Sequence, residues 1–172
     1  MDVSGYFAGK KITVVGLGLL GRGVGDIRFL AEAGADLVVT DLKTREQLEP
    51  SLAALSEFSN IRYTLGEHKL EDFQERDLIL NAPKTTPDSR YREEAHKNGI
   101  PVTMSTALFA RLAREAGVGL VGITGTRGKT TTTEMIAHIF RESGKKILLG
   151  GNIRGVSTLA LLTDAAPGTV AI

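Results

Sequence analysis

Short runs of β-branched and aliphatic residues alternate along this chain with longer stretches whose apolar positions recur at helical spacing. Lys11 to Val15 (KITVV) reads as a buried strand stopped by Gly16. Val24 to Ala33 reads as a helix, with Val24, Ile27, Leu30 and Ala31 on one face and Gly34 as its stop. Leu37 to Thr40 (LVVT) is the next strand, and Pro50 to Phe58 a short helix. Ile61 to Thr64 and Asp77 to Leu80 read as strands. Ser89 to Asn98 is helical, closed by Gly99 with Pro101 beyond it. Pro101 to Thr103 is a short strand, and Ser105 is placed to cap a helix to Ala116 with Leu108, Phe109 and Leu112 inward.

The alternation restarts after Gly117 to Gly119. Leu120 to Thr124 (LVGIT) reads as a strand, followed by a glycine-rich turn, a helix from Thr130 to Ser143 and a strand from Lys146 to Leu149. Met135, Ile136, Ile139 and Phe140 form its apolar stripe. Alternating β and α segments predict the α/β class, with parallel sheets and helices on both faces. Two starts of the pattern predict two domains, 1–117 and 118–172. The second ends on the strand TVAI and is expected to be the truncated start of a larger domain.

Composition narrows the class. Hydrophobic residues make up 42% and charged residues 24% of 172, the balance of a globular protein. The net charge of +1 supplies no field that favours nucleic acid or an anionic membrane. The absence of cysteine excludes disulfides, thiolate metal sites and cysteine nucleophiles. No apolar run has the length of a membrane span, and the N-terminus lacks the apolar stretch of a secretory signal, which is compatible with the cytoplasm.

Chemistry concentrates in two glycine-rich turns. Gly16-Leu17-Gly18-Leu19-Leu20-Gly21 is a full GxGxxG between a strand and a helix. Its first glycine permits a tight turn, its second a close ligand, and its third close packing of helix on strand. Asp41 ends the next strand, where a carboxylate meets a ribose hydroxyl. The alternative is that the glycines serve packing alone and Asp41 caps a turn. The motif does not fix the ligand; Lys43 and Arg45 suit even a phosphorylated ribose, as in NADP.

Gly122 to Thr131 (GITGTRGKTT) also lies between a strand and a helix. Backbone N–H groups of such a loop surround a polyphosphate; Lys129 would reach the β- and γ-phosphates and the Thr130 hydroxyl a Mg²⁺ ion. The pattern departs from the usual GxxxxGK[ST], since Ile123 stands where the first glycine belongs. The alternative is a glycine turn with a solvated lysine.

GITGTRGKTTT resembles the ATP loop of the Mur ligase family, whose core reads GTxGK[ST]. Gly150-Gly151-Asn152-Ile153 resembles that family's GGNIG segment. The opening VVGLGLLG and VVTDLKT are similar to the uridine-nucleotide domain of its D-glutamate-adding branch. The resemblance implies a Rossmann-like domain for the UDP substrate, followed by the first part of a P-loop ATPase-type domain. It also implies ATP and Mg²⁺ as cofactors, UDP-N-acetylmuramoyl-L-alanine and D-glutamate as substrates, a cytoplasmic monomer, and an acyl phosphate formed before amine attack. Gly18, Leu19, Leu20, Gly21, Asp41, Leu42, Lys43 and Asn152 would meet the UDP substrate. Gly125, Thr126, Arg127, Gly128, Lys129, Thr130 and Thr131 would hold ATP, with Thr130 on the metal and Lys129 and Asn152 at the reacting centre.

Three departures stand out: Arg127 replaces the family's common asparagine, Leu20 and Leu42 are apolar where some members carry hydroxyls, and Asn81-Ala82-Pro83-Lys84 lacks the glycine of an NPG- or SPG-like turn. The expected acidic metal ligand and carbamylated lysine are absent, so these residues alone should not complete a catalytic cycle. Other Mur-type or folylpolyglutamate ligases, an NAD(P)-binding oxidoreductase and a non-catalytic nucleotide-binding module are the competing readings. His68, His96 and His138 read as surface residues. The acidic stretch Glu67 to Asp77 reads as solvated, and Arg90, Arg92 and Lys97 pair with Glu93 and Glu94 on a helix surface.

Overall fold

The computed structural model describes residues 3–19, 21–81, 89–151 and 157–172. After α1 (Val3–Phe7) come β1 (Lys11–Val15), α2 (Arg22–Glu32), β2 (Asp36–Asp41), α3 (Arg45–Ala53) and β3 (Ile61–Leu65). A 3₁₀ turn (Leu70–Phe73), β4 (Leu78–Asn81), α4 (Ser89–Lys97), β5 (Val102–Met104) and α5 (Ser105–Glu115) follow. Then come β6 (Gly119–Leu120), α6 (Lys129–Glu142), β7 (Ile147–Leu148), a second 3₁₀ turn (Leu159–Asp164) and β8 (Val170–Ala171).

The first five strands form one parallel sheet in the order β3-β2-β1-β4-β5. Inner strands of such a sheet are covered on both faces and read as continuous apolar runs. β1 accordingly buries every residue after Lys11, whereas the edge strand β3 buries only Ile61. Side-chain alternation divides the core. Ile12, Val14, Leu37, Val39, Leu78 and Leu80 face α2, α3 and α5. Val15 and Ile79 face the other way, onto Phe73, Tyr91, Ala95 and Ile100. The α/β class with helices on both faces is therefore as the alternation predicts.

The second sheet is small, parallel and ordered β6-β8-β7. Its strands of two residues are extended by Val121 N–H to Ala171 O at 2.8 Å and Gly150 N–H to Ile172 O at 3.0 Å. A ladder this short contributes about 1 kcal/mol per bond. Each buried leucine contributes about 2 kcal/mol, so packing outweighs pairing here. Leu148, Leu159, Leu162 and Ala171 join the same buried cluster as Leu108, Phe109 and Leu112 of α5, so one core runs past Gly117.

Several local expectations are corrected. α3 starts at Arg45, not Pro50, because the Gln47 side chain accepts the Thr44 N–H at 2.9 Å as in a capping box. Pro50 sits inside the helix instead of opening it. Ser105 is the first residue of α5, with Met104 at the N-cap and no side-chain cap. The strand expected over Leu120 to Thr124 is β6, only Gly119–Leu120, because its partner β8 spans two residues. The stripe on α6 turns largely outward: Met135 and Ile139 are 62% and 63% exposed, and Ala137 is the buried residue against this sheet. Among the described residues no helix is long and apolar enough to cross a membrane.

Gly23 packs α2 closely against the turn after β1. A Cβ at Gly23 would stand 2.1 Å from the Leu17 carbonyl oxygen. Gly21 serves as the N-cap of α2 with φ of 81°, in the left-handed region. Gly23→Ala is expected to cost roughly 3 kcal/mol through forced backbone displacement. Guanidinium unfolding measures it, and a loss below about 1 kcal/mol would contradict this packing.

Candidate functional site

In an all-parallel sheet the turns that follow the strands gather at one edge, and ligands enter where the strand order reverses. Here that reversal falls between β1 and β4. The turn after β1, the turn after β2 and Asn81 at the end of β4 meet this edge. Asn81 Oδ1 is buried there without a hydrogen-bond partner among the described residues.

Asp41 organises the edge. Its Oδ2 accepts the Gly18 N–H at 3.1 Å and its Oδ1 accepts the Lys43 N–H at 2.9 Å. One buried carboxylate thus clamps the GxG turn to the turn after β2. Gly16 N–H donates to Thr40 O at 2.8 Å, and the Ser51 hydroxyl donates to Gly18 O at 2.8 Å. The clamp lets Gly18 take φ of 66° with open space on its Cβ side. Leu19 and Leu42 flank this turn with side chains 52% and 66% exposed, apolar surface suited to a flat base. Lys43 is exposed beside them. Leu20, Asn152 and Ala82-Pro83-Lys84 lie outside the described residues.

Residues that sequence reasoning passed over support the same edge. His68 is half-buried, not a surface residue. Its Nδ1 lies 2.7 Å from the Thr40 hydroxyl, and its ring meets Phe73 and Tyr91 edge to face. Burial pushes the His68 imidazole below its ordinary value; Asp41 and Asp72 oppose that shift. Asp72, expected in a solvated acidic stretch, is buried, and its Oδ1 accepts the Thr64 hydroxyl at 3.2 Å. Glu94 accepts from Gln74 and Asn98 instead of from a basic neighbour, and those bonds hold its carboxyl below the usual value. The signal for His68 and Ser51 was absent from local spacing, since each acts across more than 25 residues.

The second glycine turn stands at the end of β6. Gly125 and Gly128 take φ of 152° and 78°, and the Lys129 ammonium curls back to Gly125 O at 2.7 Å. Gly128 is the N-cap of the 14-residue α6 and no side chain caps it, so the leading N–H groups of the helix are open to an anion. Gly125, Thr126, Arg127, Gly128, Thr130 and Thr131 are all exposed around that end. These donors, a lysine and a hydroxyl fit a polyphosphate with its metal.

Comparison with known proteins decides the kinship. Residues 10–104 match the Mur ligase MurD-like N-terminal domain, and residues 123–167 match the Mur ligase middle domain. The chain belongs to the Mur ligase family. It is 39% identical over 162 residues to the UDP-N-acetylmuramoylalanine–D-glutamate ligase of Roseiflexus sp. (strain RS-1), covering 93% of this chain and 34% of that one. It is 36% identical to the enzyme of the same name from Treponema pallidum (strain Nichols), covering 94% of this chain and 30% of that one. The crystal structure of UDP-N-acetylmuramate-alanine ligase from Thermotoga maritima is similar with a TM-score of 0.49 at 23% identity, over 80% of this chain and 30% of that chain. This Mur ligase chain therefore spans about a third of the length of the curated relatives it matches.

Two outcomes follow. Asp41→Ala removes both clamp bonds and is expected to cost roughly 3 kcal/mol, Asp41→Asn about half of that; urea unfolding of the two variants checks the ratio. Because His68 is depressed in the folded state, the unfolded chain binds its proton more tightly. Its contribution to stability is present above the ordinary imidazole value and is lost as pH falls through that value toward the lower, folded one. His68→Gln is expected to flatten the fall in unfolding free energy between about pH 7 and about pH 5, measured by denaturation at each pH.

Proposed function

We propose that this chain is the front part of an ATP-dependent ligase that adds D-glutamate to UDP-N-acetylmuramoyl-L-alanine in peptidoglycan precursor synthesis. The observation that carries this reading is the pairing of two unlike glycine turns on one chain. The first is clamped by Asp41 and bordered by exposed apolar side chains; the second opens a helix beside Lys129. A dehydrogenase has use for the first but not for the second. The names of the relatives, which match in the same order over most of this chain, support the substrate.

In this reading residues 1–117 form the UDP-substrate domain and residues 118–172 open the ATP domain. Gly18, Leu19, Leu20, Gly21, Asp41, Leu42 and Lys43 receive the uridine end. Asp41 does so mainly by holding the Gly18 and Lys43 backbones, since each of its oxygens already accepts one of them. Gly125 to Thr131 would hold the ATP phosphates, with Thr130 as a ligand to Mg²⁺ and Asn152 assigned to the reacting centre. ATP supplies a phosphoryl group that activates the substrate carboxylate as an acyl phosphate, which the incoming amine then attacks. Lys129 exchanges its bond to Gly125 O for phosphate oxygens, where its charge offsets the negative charge of transfer. A cytoplasmic monomer is the setting this chemistry suits.

Calorimetric titration of the chain tests the reading. UDP-N-acetylmuramoyl-L-alanine is expected to bind saturably and more tightly than NADH or UDP-N-acetylglucosamine. Binding of NADH without the muramoyl peptide would move the first domain to the oxidoreductases. Lys129→Ala is expected to weaken Mg²⁺–ATP at least about tenfold, the loss of one strong charge-assisted contact. Unchanged ATP affinity in that variant would remove the second turn from the site.

A further inference from the structure

A buried carboxylate outside both turns joins the two parts of the molecule. Asp26 lies in α2, the helix that leads out of the GxGxxG turn. Its Oδ1 accepts the Ser157 hydroxyl at 2.6 Å, across 131 residues and away from solvent. Ser157 Oγ in turn accepts the Ala160 N–H at 3.1 Å, which starts the 3₁₀ turn Leu159–Asp164. The Leu159 backbone also favours the charged form of the Asp26 carboxylate. Ser105 at the start of α5 is buried and favours its charged form without reaching hydrogen-bonding geometry. Gly25 makes the approach possible, because a Cβ there would stand 2.9 Å from Ser157 Cβ.

A buried, largely desolvated carboxylate is costly to keep. Burial pushes Asp26 above the usual carboxylate value, while Ser157, Ser105 and the Leu159 backbone draw it back. An apolar side chain would fill the same space at less cost, so packing alone does not explain an aspartate here. The carboxylate gives what packing does not: a directional link between two segments distant in sequence. One is the helix issuing from the first glycine turn, the other the segment from Ser157 into the 3₁₀ turn Leu159–Asp164.

We propose that Asp26 is a positioning residue, a latch that through Ser157 holds the 3₁₀ turn Leu159–Asp164, and the small sheet it leads into, against α2, the helix of the first glycine turn, so that the two sheets keep one fixed relation. The latch rests on this geometry and not on the ligands proposed above.

Amide hydrogen exchange on the chain, without ligand, tests it. In Asp26→Ala, exchange at Leu162 to Ala165 is expected to rise at least about tenfold while the amides of β1 and β2 change less than about twofold. Asp26→Asn keeps an acceptor for Ser157 and is expected to restore most of that protection. Gly25→Ala separates a latch from general stability: alanine favours the helix, yet its methyl pushes Ser157 away, so the same local rise is expected without loss in β1 and β2. If Asp26→Ala proves too unstable to measure, Gly25→Ala and Ser157→Ala carry the test. A uniform rise across both sheets, no change at Leu162 to Ala165, or full protection in Gly25→Ala would overturn the proposal. Since no ligand is present, such a failure leaves the ligase reading untouched.

Discussion

Two parallel strands cannot be joined by a tight turn, and everything about this chain's site descends from that constraint. Each crossover must climb back along a helix, so every turn that leaves a strand does so at the same edge. The five-stranded sheet therefore delivers the ends of β1, β2 and β4 to one place. Backbone groups at that edge have lost their ladder partners. Asp41 answers for two of them at once, and Thr40 and Ser51 for two more. In the first glycine turn the backbone groups of Gly16 and Gly18 are satisfied by neighbouring segments. The second is left more open, with exposed donors and a lysine held by a single carbonyl.

The second sheet has too few ladder bonds to fix its own position. Its placement comes from apolar packing under α5 and from the Asp26–Ser157 bond, which together join it to the first sheet through a single core. Exposed ion pairs such as Arg28–Glu57 contribute little beside these, at about 0–1 kcal/mol. The outward face of α6, with Met135 and Ile139, is also left uncovered by the described residues.

What could be read from the sequence was what acts locally. Strand β1, a short run buried on both faces, and the two glycine turns follow from a few adjacent residues. The start of α3 at a Thr44–Gln47 capping box was also written there, but Pro50 carried a stronger helix-start signal and hid it. His68 and Asp72 were invisible, because what buries them is the fold: β2, β3 and α4 close over a stretch that is polar in sequence. Asp26 was invisible for the same reason, having its partner 131 residues away. For Asp41 the sequence left two roles open, meeting a ribose hydroxyl or capping a turn. The structure gives it the capping bonds, to the Gly18 and Lys43 N–H groups.

Amide spectra of isotopically labelled chain, recorded with uridine diphosphate and then with Mg²⁺–ADP, test the central claim of two separate nucleotide turns most directly. Uridine diphosphate is predicted to move the Gly18, Leu19 and Lys43 amides and leave Gly128 to Thr131 in place, with Mg²⁺–ADP doing the reverse. Both nucleotides moving the same turn, or neither moving Gly128 to Thr131, would contradict the account.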